Sequence, residues 1–480
     1  MKTLEEIFAQ TDPKDIINDL KKKEFSPPDW RELRKEYEPK EHRIITDKES
    51  FPDKKIYNDK GQLERFEPIT RISLGLQKLA VNRIVQFMFT FGVEVVLEDD
   101  EEQQNFKDQF NSFKKILKRN RWNSLNKKRC EITSAQCECA VHWYVVPQEK
   151  KHKSYGFETP FKLRYAIYSP ERGDELYPLF DDSGDMIAFS RAYKAKPEGS
   201  DNEVEHFECW TADNHYRWFN DQGWKEVEGF PIANPIGKIP IVYTSRKNPV
   251  WRDADSGWYD GKVHQMEKLL SENGEIIAYH AAPALVIYGT LKGAPKKGDG
   301  NKVFEADDRS KGGAEYVSWQ QSPESVKFQF ETLLRMYWME LQLPDLSFEN
   351  LKGIGAQSGE AKKWLLSDSH LKVGKESEIY VDAITREFSI IKSYLGAMNT
   401  SWANTISEME LKEPKIRPFT VEDEKGKIEI LMTANGGKPL ISQELSVKLA
   451  GLSEDPKTDF DKIKEETESE RISFIQESAE

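Results

Sequence analysis

Apolar residues along the chain recur in two rhythms, and the change from one to the other marks its organisation. From about Ile69 to Phe91 they fall at helical spacing, with Ile72, Leu76, Leu79, Ile84, Phe87 and Met88 on one face, which predicts an amphipathic helix. A second helical stretch is expected from Asp100 to about Arg119, carrying Phe106, Phe110, Phe113, Ile116 and Leu117. Past Cys139 the segments VHWYVV, FKLRYAIYS, MIAFSRAYKA, EVEHFECWTA and HYRWFND are short, aromatic and β-branched. DDSGDM reads as a tight turn between two of them. Residues of about 140–245 are therefore expected to form a mainly antiparallel β region, closed by NPIGKIPIVYTSRKNP. Helical spacing returns from 256 to 279, followed by a short strand, PALVIYG, and a stretch rich in Gly, Lys and Asp. Another helix is predicted over Pro323–Leu341, with Ser322 as its N-cap and Pro at its first position. A Gly/Pro-rich loop then precedes a long helical segment of about 360–398. A strand pair around PKIRPF and a helical acidic tail are expected to end the chain.

Composition narrows the function classes. The 480 residues carry 70 Lys+Arg against 83 Asp+Glu, a formal net charge of −13. That balance excludes a general nucleic-acid coat but permits a local basic patch, or a channel that nucleic acid passes without adhering. Charged residues reach 32%, yet 12 Trp, 17 Tyr and 25 Phe give the chain the apolar mass that disordered sequences lack. No run approaches the roughly 20 apolar residues that span a bilayer, and the first residues lack an apolar signal core, so a soluble, unprocessed protein is expected.

No catalytic motif stands out. The sequence has no P-loop, nucleophile elbow, zincin or kinase signature. Gly353–Gly359 superficially resembles a phosphate-binding glycine loop, but it follows a helix and a proline turn instead of a strand. Cys130, Cys137 and Cys139, with His142 close behind, crowd a metal-like spacing, yet in ITSAQCECAVHWYVV they read as small apolar residues of a buried segment. His264 and His280 lie 16 positions apart on one predicted helix and share no ligand face. No metal or cofactor is expected, and the protein is read as a structural one, not an enzyme. Charge is distributed unevenly. Between Gly289 and Ser318, Lys292, Lys296, Lys297, Lys302, Arg309 and Lys311 outnumber five acids, whereas residues 452–480 hold ten acids against four bases.

The order of these elements resembles the portal protein family of tailed bacteriophages. GKIPIVYTSRKNP is similar to that family's Pro-gated strand before an Asn-containing loop. DSGWYDGKVHQMEKLLSENGEIIAYHAAPALVIYG resembles its stem helix and exit strand. LPDLSFENLKGIGAQSGEAKKWLL resembles its tunnel loop and the start of its tunnel helix, at Ser358-Gly359-Glu360-Ala361. The resemblance spans about residues 65–400.

It implies an α+β portal-like subunit with an N-terminal arm or extension (1–64) and a wing of helices plus antiparallel β structure (65–255). A stem helix (256–283), a small β clip (284–321) and a second stem helix (322–342) would follow. A tunnel loop (343–358), a long tunnel helix (359–398) and a helical crown with the acidic tail (399–480) would complete it. It further implies a homododecameric ring at one capsid vertex, a conduit for double-stranded DNA during packaging and ejection. Partners would be the terminase large subunit, a head-completion or adaptor protein, the major capsid protein and scaffold, with no membrane. The site would be the virion, and the host cytoplasm during assembly. The tunnel-loop residues Phe348, Asn350, Lys352 and Ser358 would face DNA, and the six clip cations named above would meet acidic partners. Trp338–Leu341 would lie in the ring interface. Two alternatives remain: a ring-forming head–tail connector without motor docking, and a nucleotide-dependent enzyme using the 353–359 loop.

Overall fold

The computed structural model describes residues 3–23, 25–58, 60–98, 102–196, 203–254, 261–280, 284–288, 291–293, 305–306, 313–317, 323–344, 366–420, 424–436, 439–453 and 455–477, with backbone alone at 279–280, 284–323, 424–427 and 470–477 where these overlap. The chain divides into two compact units, residues 1–345 with 369–419, and residues 346–368 with 420–480.

The larger unit begins with short helices that start where side chains satisfy their free amides. Thr3 and Glu6 form a reciprocal capping box on α1 (Leu4–Phe8), and Asp12 and Asp29 cap α2 (Pro13–Leu20) and α3 (Trp30–Tyr37). A single turn, α4 (Arg43–Thr46), and an exposed hairpin of β1 (Lys54–Tyr57) and β2 (Leu63–Glu67) follow. Although residues 1–64 were expected as an arm, α1 and α2 set Ile7, Ile16, Ile17 and Leu20 into a core with Leu179, Phe207 and Trp218 of the same chain. The helix expected from Ile69 begins only at α5 (Leu76–Phe89). Residues 69–75 stay outside any helix, with the amides of Thr70, Ile72 and Leu74 used elsewhere, as described below.

β3 (Val93–Glu94) is followed by a 3-10 turn, Glu102–Phe106, and then by α6 (Lys107–Arg119) and α7 (Trp122–Gln136). Cys137, at φ +66°, turns α7 directly into β4 (Glu138–His152), which pairs with β5 (Thr159–Tyr168). The antiparallel sheet that follows contains β6 (Glu175–Phe180), β7 (Met186–Ala195), β8 (Val204–Trp210), β9 (Asn214–Asn220), β10 (Trp224–Glu226) and β11 (Ile232–Ala233), in the order 10-9-8-7-6 with β11 also on β9. DDSGDM makes the expected turn, where Asp181 accepts from the amides of Ser183 and Asp185 and Gly184 sits at φ +86°. β12 (Ile241–Ser245) joins the other edge of β4, and the two sheets bury Ala140, Leu176, Phe189, Trp210 and Ile241 between them.

Next come α8 (Lys262–His280), β13 (Ala284–Tyr288), β14 (Leu291–Gly293), β15 (Glu305–Ala306), β16 (Gly313–Val317) and α9 (Pro323–Glu340). The expected cap at Ser322 lies outside the described residues. α10 (Ser367–Met398) packs its long buried face into the larger unit, where Glu387 receives hydrogen bonds from the indoles of Trp122 and Trp143, both at 2.7 Å, and from Arg129 at 2.5 Å. β17 (Lys415–Ile416) supplies the strand expected near PKIRPF, but its partner is the remote β3.

The smaller unit holds α11 (Glu424–Asn435), α12 (Gln443–Ala450) and α13 (Pro456–Glu477). Ser442 caps α12, Gly451 ends it at φ +71°, and Asn435 reaches the Ser446 hydroxyl across the α11–α12 pair. No helix among the described residues is long and apolar enough to cross a membrane.

Candidate functional site

Between Lys262 and Glu340 the chain leaves and returns through two helices with a β insertion. β13 pairs antiparallel with β16, from Ala284 opposite Val317 to Tyr288 opposite Gly313. Inside that pair, β14 and β15 form a second antiparallel ladder, with Leu291 opposite Ala306. The strands are thus nested, each inner one joined to its outer neighbour by a short link. At the opposite end of the helices, Lys262 Nζ donates to Glu340 Oε2 at 2.8 Å, which sets the first residue of α8 against the last of α9. The helices therefore run antiparallel. At about 1.5 Å per residue, the 19 residues of α8 are long enough to hold the β insertion about 28 Å from that pair.

One face of α8 is fastened to an extended strap, residues 70–74. Leu74 N–H donates to Glu267 Oε1 at 2.7 Å, Ile72 N–H donates to Ser271 Oγ at 2.9 Å, and Thr70 N–H donates to the Glu275 carboxylate. The spacing has a geometric cause. Two residues of extended chain advance about 6.6 Å and four of a helix about 6 Å, so every second strap amide meets every fourth helical side chain. Gly274 allows the close approach, since a Cβ there would stand 2.9 Å from Thr70 Cγ2. His42 Nδ1 shares Glu267 Oε1 at 2.5 Å, and both side chains are buried. Lys54 pairs with Glu275, and this bond, with the Thr70 hydroxyl and amide, holds the Glu275 carboxyl down at about 2. Sequence reasoning missed this ladder, although the four-residue spacing of Glu267, Ser271 and Glu275 was the available signal.

α9 ends against the same body. Arg83 lies over the Trp338 ring at 3.9 Å and donates to the Pro344 carbonyl at 2.7 Å. Trp338 and Leu341, expected in an interface between copies, are buried within their own chain, as are Tyr337 and Leu343. The side chains left bare are others: Ile276 and Ile277 on α8, and Phe328, Met336 and Met339 on α9, with Phe328 73% exposed. Of the expected site residues, Lys292 falls on β14. Lys296, Lys297, Lys302, Arg309 and Lys311 lie outside the described residues, as do Phe348, Asn350, Lys352, Ser358 and the 353–359 loop.

The cysteine-rich segment is core. Cys130, Cys137 and Cys139 are buried, and burial pushes each thiol up to about 12, where it stays protonated. Burial also lowers His142 to about 3, with its Nδ1 2.8 Å from the Tyr168 hydroxyl. Among the described residues no group of three or more His, Cys, Asp or Glu is arranged to hold a metal. A 610 Å³ cavity lies beside α1, walled by Phe8, Met186, Ile187 and Tyr216. Its charged groups are of both signs, Glu5, Asp185 and Asp213 with Lys238 and Arg386. Burial lowers the Arg386 pKa, partly opposed by Asp185.

A family model described as "Phage portal protein, SPP1 Gp6-like" matches residues 22–472. Among solved structures, a chain of "Neck of empty GTA particle computed with C6 symmetry" is 13% identical, with 78% of this chain and 89% of that chain covered at a TM-score of 0.34. A chain of "Virion of native gene transfer agent (GTA) particle" is 11% identical over the same shares at 0.35. No curated protein matches the chain.

Proposed function

The chain belongs to the SPP1 Gp6-like family of phage portal proteins, structural components of the virion, and from that membership we propose that it is the repeating subunit of a ring that conducts DNA through one vertex of a capsid. The observation that carries this reading is the helix–nested hairpin–helix excursion between Lys262 and Glu340. α8 and α9 act as the stem, and β13–β16 with their intervening residues act as the clip. Both helices leave Ile277, Phe328 and Met339 bare, at 49, 73 and 64% exposure. Large apolar side chains on a projecting pair are covered when a second copy packs beside it, and repetition of that heterologous contact closes a ring, twelvefold in this reading.

The body that carries the stem is the wing, residues 343–358 the tunnel loop, and 399–480 the crown. A chain at −13 repels phosphate on average, so duplex passes without adhering. The tunnel loop, through Phe348, Asn350, Lys352 and Ser358, touches the moving duplex. The clip, through Lys292, Lys296, Lys297, Lys302, Arg309 and Lys311, meets acidic surfaces of the terminase large subunit or of a head-completion protein. The same ring contacts the major capsid protein and scaffold as the particle forms in the host cytoplasm.

A packaging assay separates the parts. Deleting Asn350–Gly355 is expected to leave assembly intact and reduce packaged DNA, whereas reversing Lys292, Lys296 and Lys297 to Glu is expected to weaken motor or adaptor binding. Loss of assembly on the deletion, or unchanged binding on the reversal, overturns the corresponding assignment.

A further inference from the structure

The acidic chain carries a concentrated basic surface on elements other than α8 and α9. In α6, Lys115, Lys118 and Arg119 are all exposed, and the β4–β5 turn, taken with the last residues of β4 that lead into it, brings Lys150, Lys151 and Lys153, also exposed, from about 30 residues further along the chain. The two sets are held together. Arg119 Nε donates to the Ser154 carbonyl at 3.1 Å, and Lys115 Nζ lies 3.0 Å from where a Cβ on Gly156 would stand. None of the six cations forms an ion pair with a carboxylate among the described residues, and the acids interspersed in the turn are Glu149 and Glu158. The helix dipole accounts for Lys118 and Arg119, which sit in the last turn of α6, but not for the three lysines of the turn.

The neighbouring aromatics decide what such a surface fits. Tyr155 is buried and its hydroxyl accepts from the Leu163 amide at 3.1 Å, while Phe157 packs edge-on against Trp402 at 5.2 Å. The turn's own two rings are thus used inside the chain, while Phe161, near the start of β5, stays 37% exposed. Protein interfaces are depleted of lysine and built around apolar anchors, and single strands are held by exposed rings on which bases stack. A lysine-dominated surface with its rings turned inward suits neither. It suits the regularly spaced phosphates of a duplex.

We propose that the second half of α6 and the β4–β5 turn form a binding surface for the phosphate backbone of a nucleic-acid duplex, without sequence preference. The proposal does not depend on the ring or on the tunnel loop, and it survives if either fails.

The test is fluorescence anisotropy of the full chain with a labelled DNA duplex of about 30 base pairs, titrated across salt concentrations. The triple variant Lys150→Glu, Lys151→Glu, Lys153→Glu is expected to bind about tenfold more weakly or worse, and to lower the salt slope by about 2–3. Lys118→Glu alone is expected to shift binding in the same direction, and Lys55→Glu on β1 to leave it unchanged. Circular dichroism of each variant should match the parent. Unchanged affinity in both α6 and turn variants overturns the proposal. So does displacement of the duplex by poly-glutamate at equal charge, which would make this a dock for an acidic protein.

Discussion

Glu387 shows how much one buried residue can be asked to hold. It is 0% exposed in side chain, and from α10 its carboxylate gathers two indoles and the buried Arg129, which α7 and β4 supply. Arg129 donates to Glu387 through Nη2 while its Nε and Nη1 have no hydrogen-bond partner, so removing the carboxylate strands a positive charge in the core. Glu387→Ala is expected to cost about 3–5 kcal/mol, read as a lowered denaturation midpoint. The partly exposed Lys262–Glu340 pair is a useful contrast, since Lys262→Ala is expected to cost no more than about 1 kcal/mol. Equal losses would contradict the burial argument. Glu275 carries a pH signature. Its carboxyl is depressed from 4.5 to about 2, so the bonds to Lys54 and Thr70 contribute stability that is fully present above the unfolded value and is lost as pH falls through the folded one. The gap in melting temperature between the parent and Glu275→Gln should therefore be constant above about pH 5 and close between 4.5 and 2. A gap that is unchanged at pH 2 would remove Glu275 from the ladder that holds the strap.

At the scale of elements, the strap and α8 are one device. Gly274 lies in the interior of α8, where alanine would ordinarily stabilise the helix by about 1 kcal/mol. Here a Cβ would push against Thr70, whose amide is held by Glu275. Gly274→Ala is accordingly expected to lower the melting temperature, and a rise would show that the strap yields freely. This device also marks where sequence reading stops. The alternation of VHWYVV and FKLRYAIYS, the turn at DDSGDM and the helices of the excursion were legible, because each is set by residues close together in the chain. Ile69–Leu74 matched a helical period, yet their amides are claimed by side chains some 200 positions away, and no local pattern records that. PKIRPF was read as a strand for sound local reasons, but its partner at Val93–Glu94 is more distant still. Trp338 and Leu341 looked like interface residues because they are large and apolar. Arg83 and the body claim them first, leaving Phe328 and Met339 outside. Of the candidate site, the order of helix, β insertion and helix was readable, whereas the strap that fixes it was not.

At the scale of the whole molecule, the proposed ring requires copies of this chain to cover one another's bare residues on α8 and α9. A 55.6 kDa chain with Phe328 at 73% exposure is expected to be an incomplete object alone. The measurement that tests this most directly is the native mass of the purified protein, with negative-stain images of the same sample, for the parent and for Phe328→Asp. The account predicts a closed ring of about twelve copies with a central hole. It also predicts that the variant, whose changed side chain touches little of its own chain, keeps its circular dichroism while shifting to smaller species. A parent that stays a monomer at every concentration, or a variant ring indistinguishable from the parent, would contradict it.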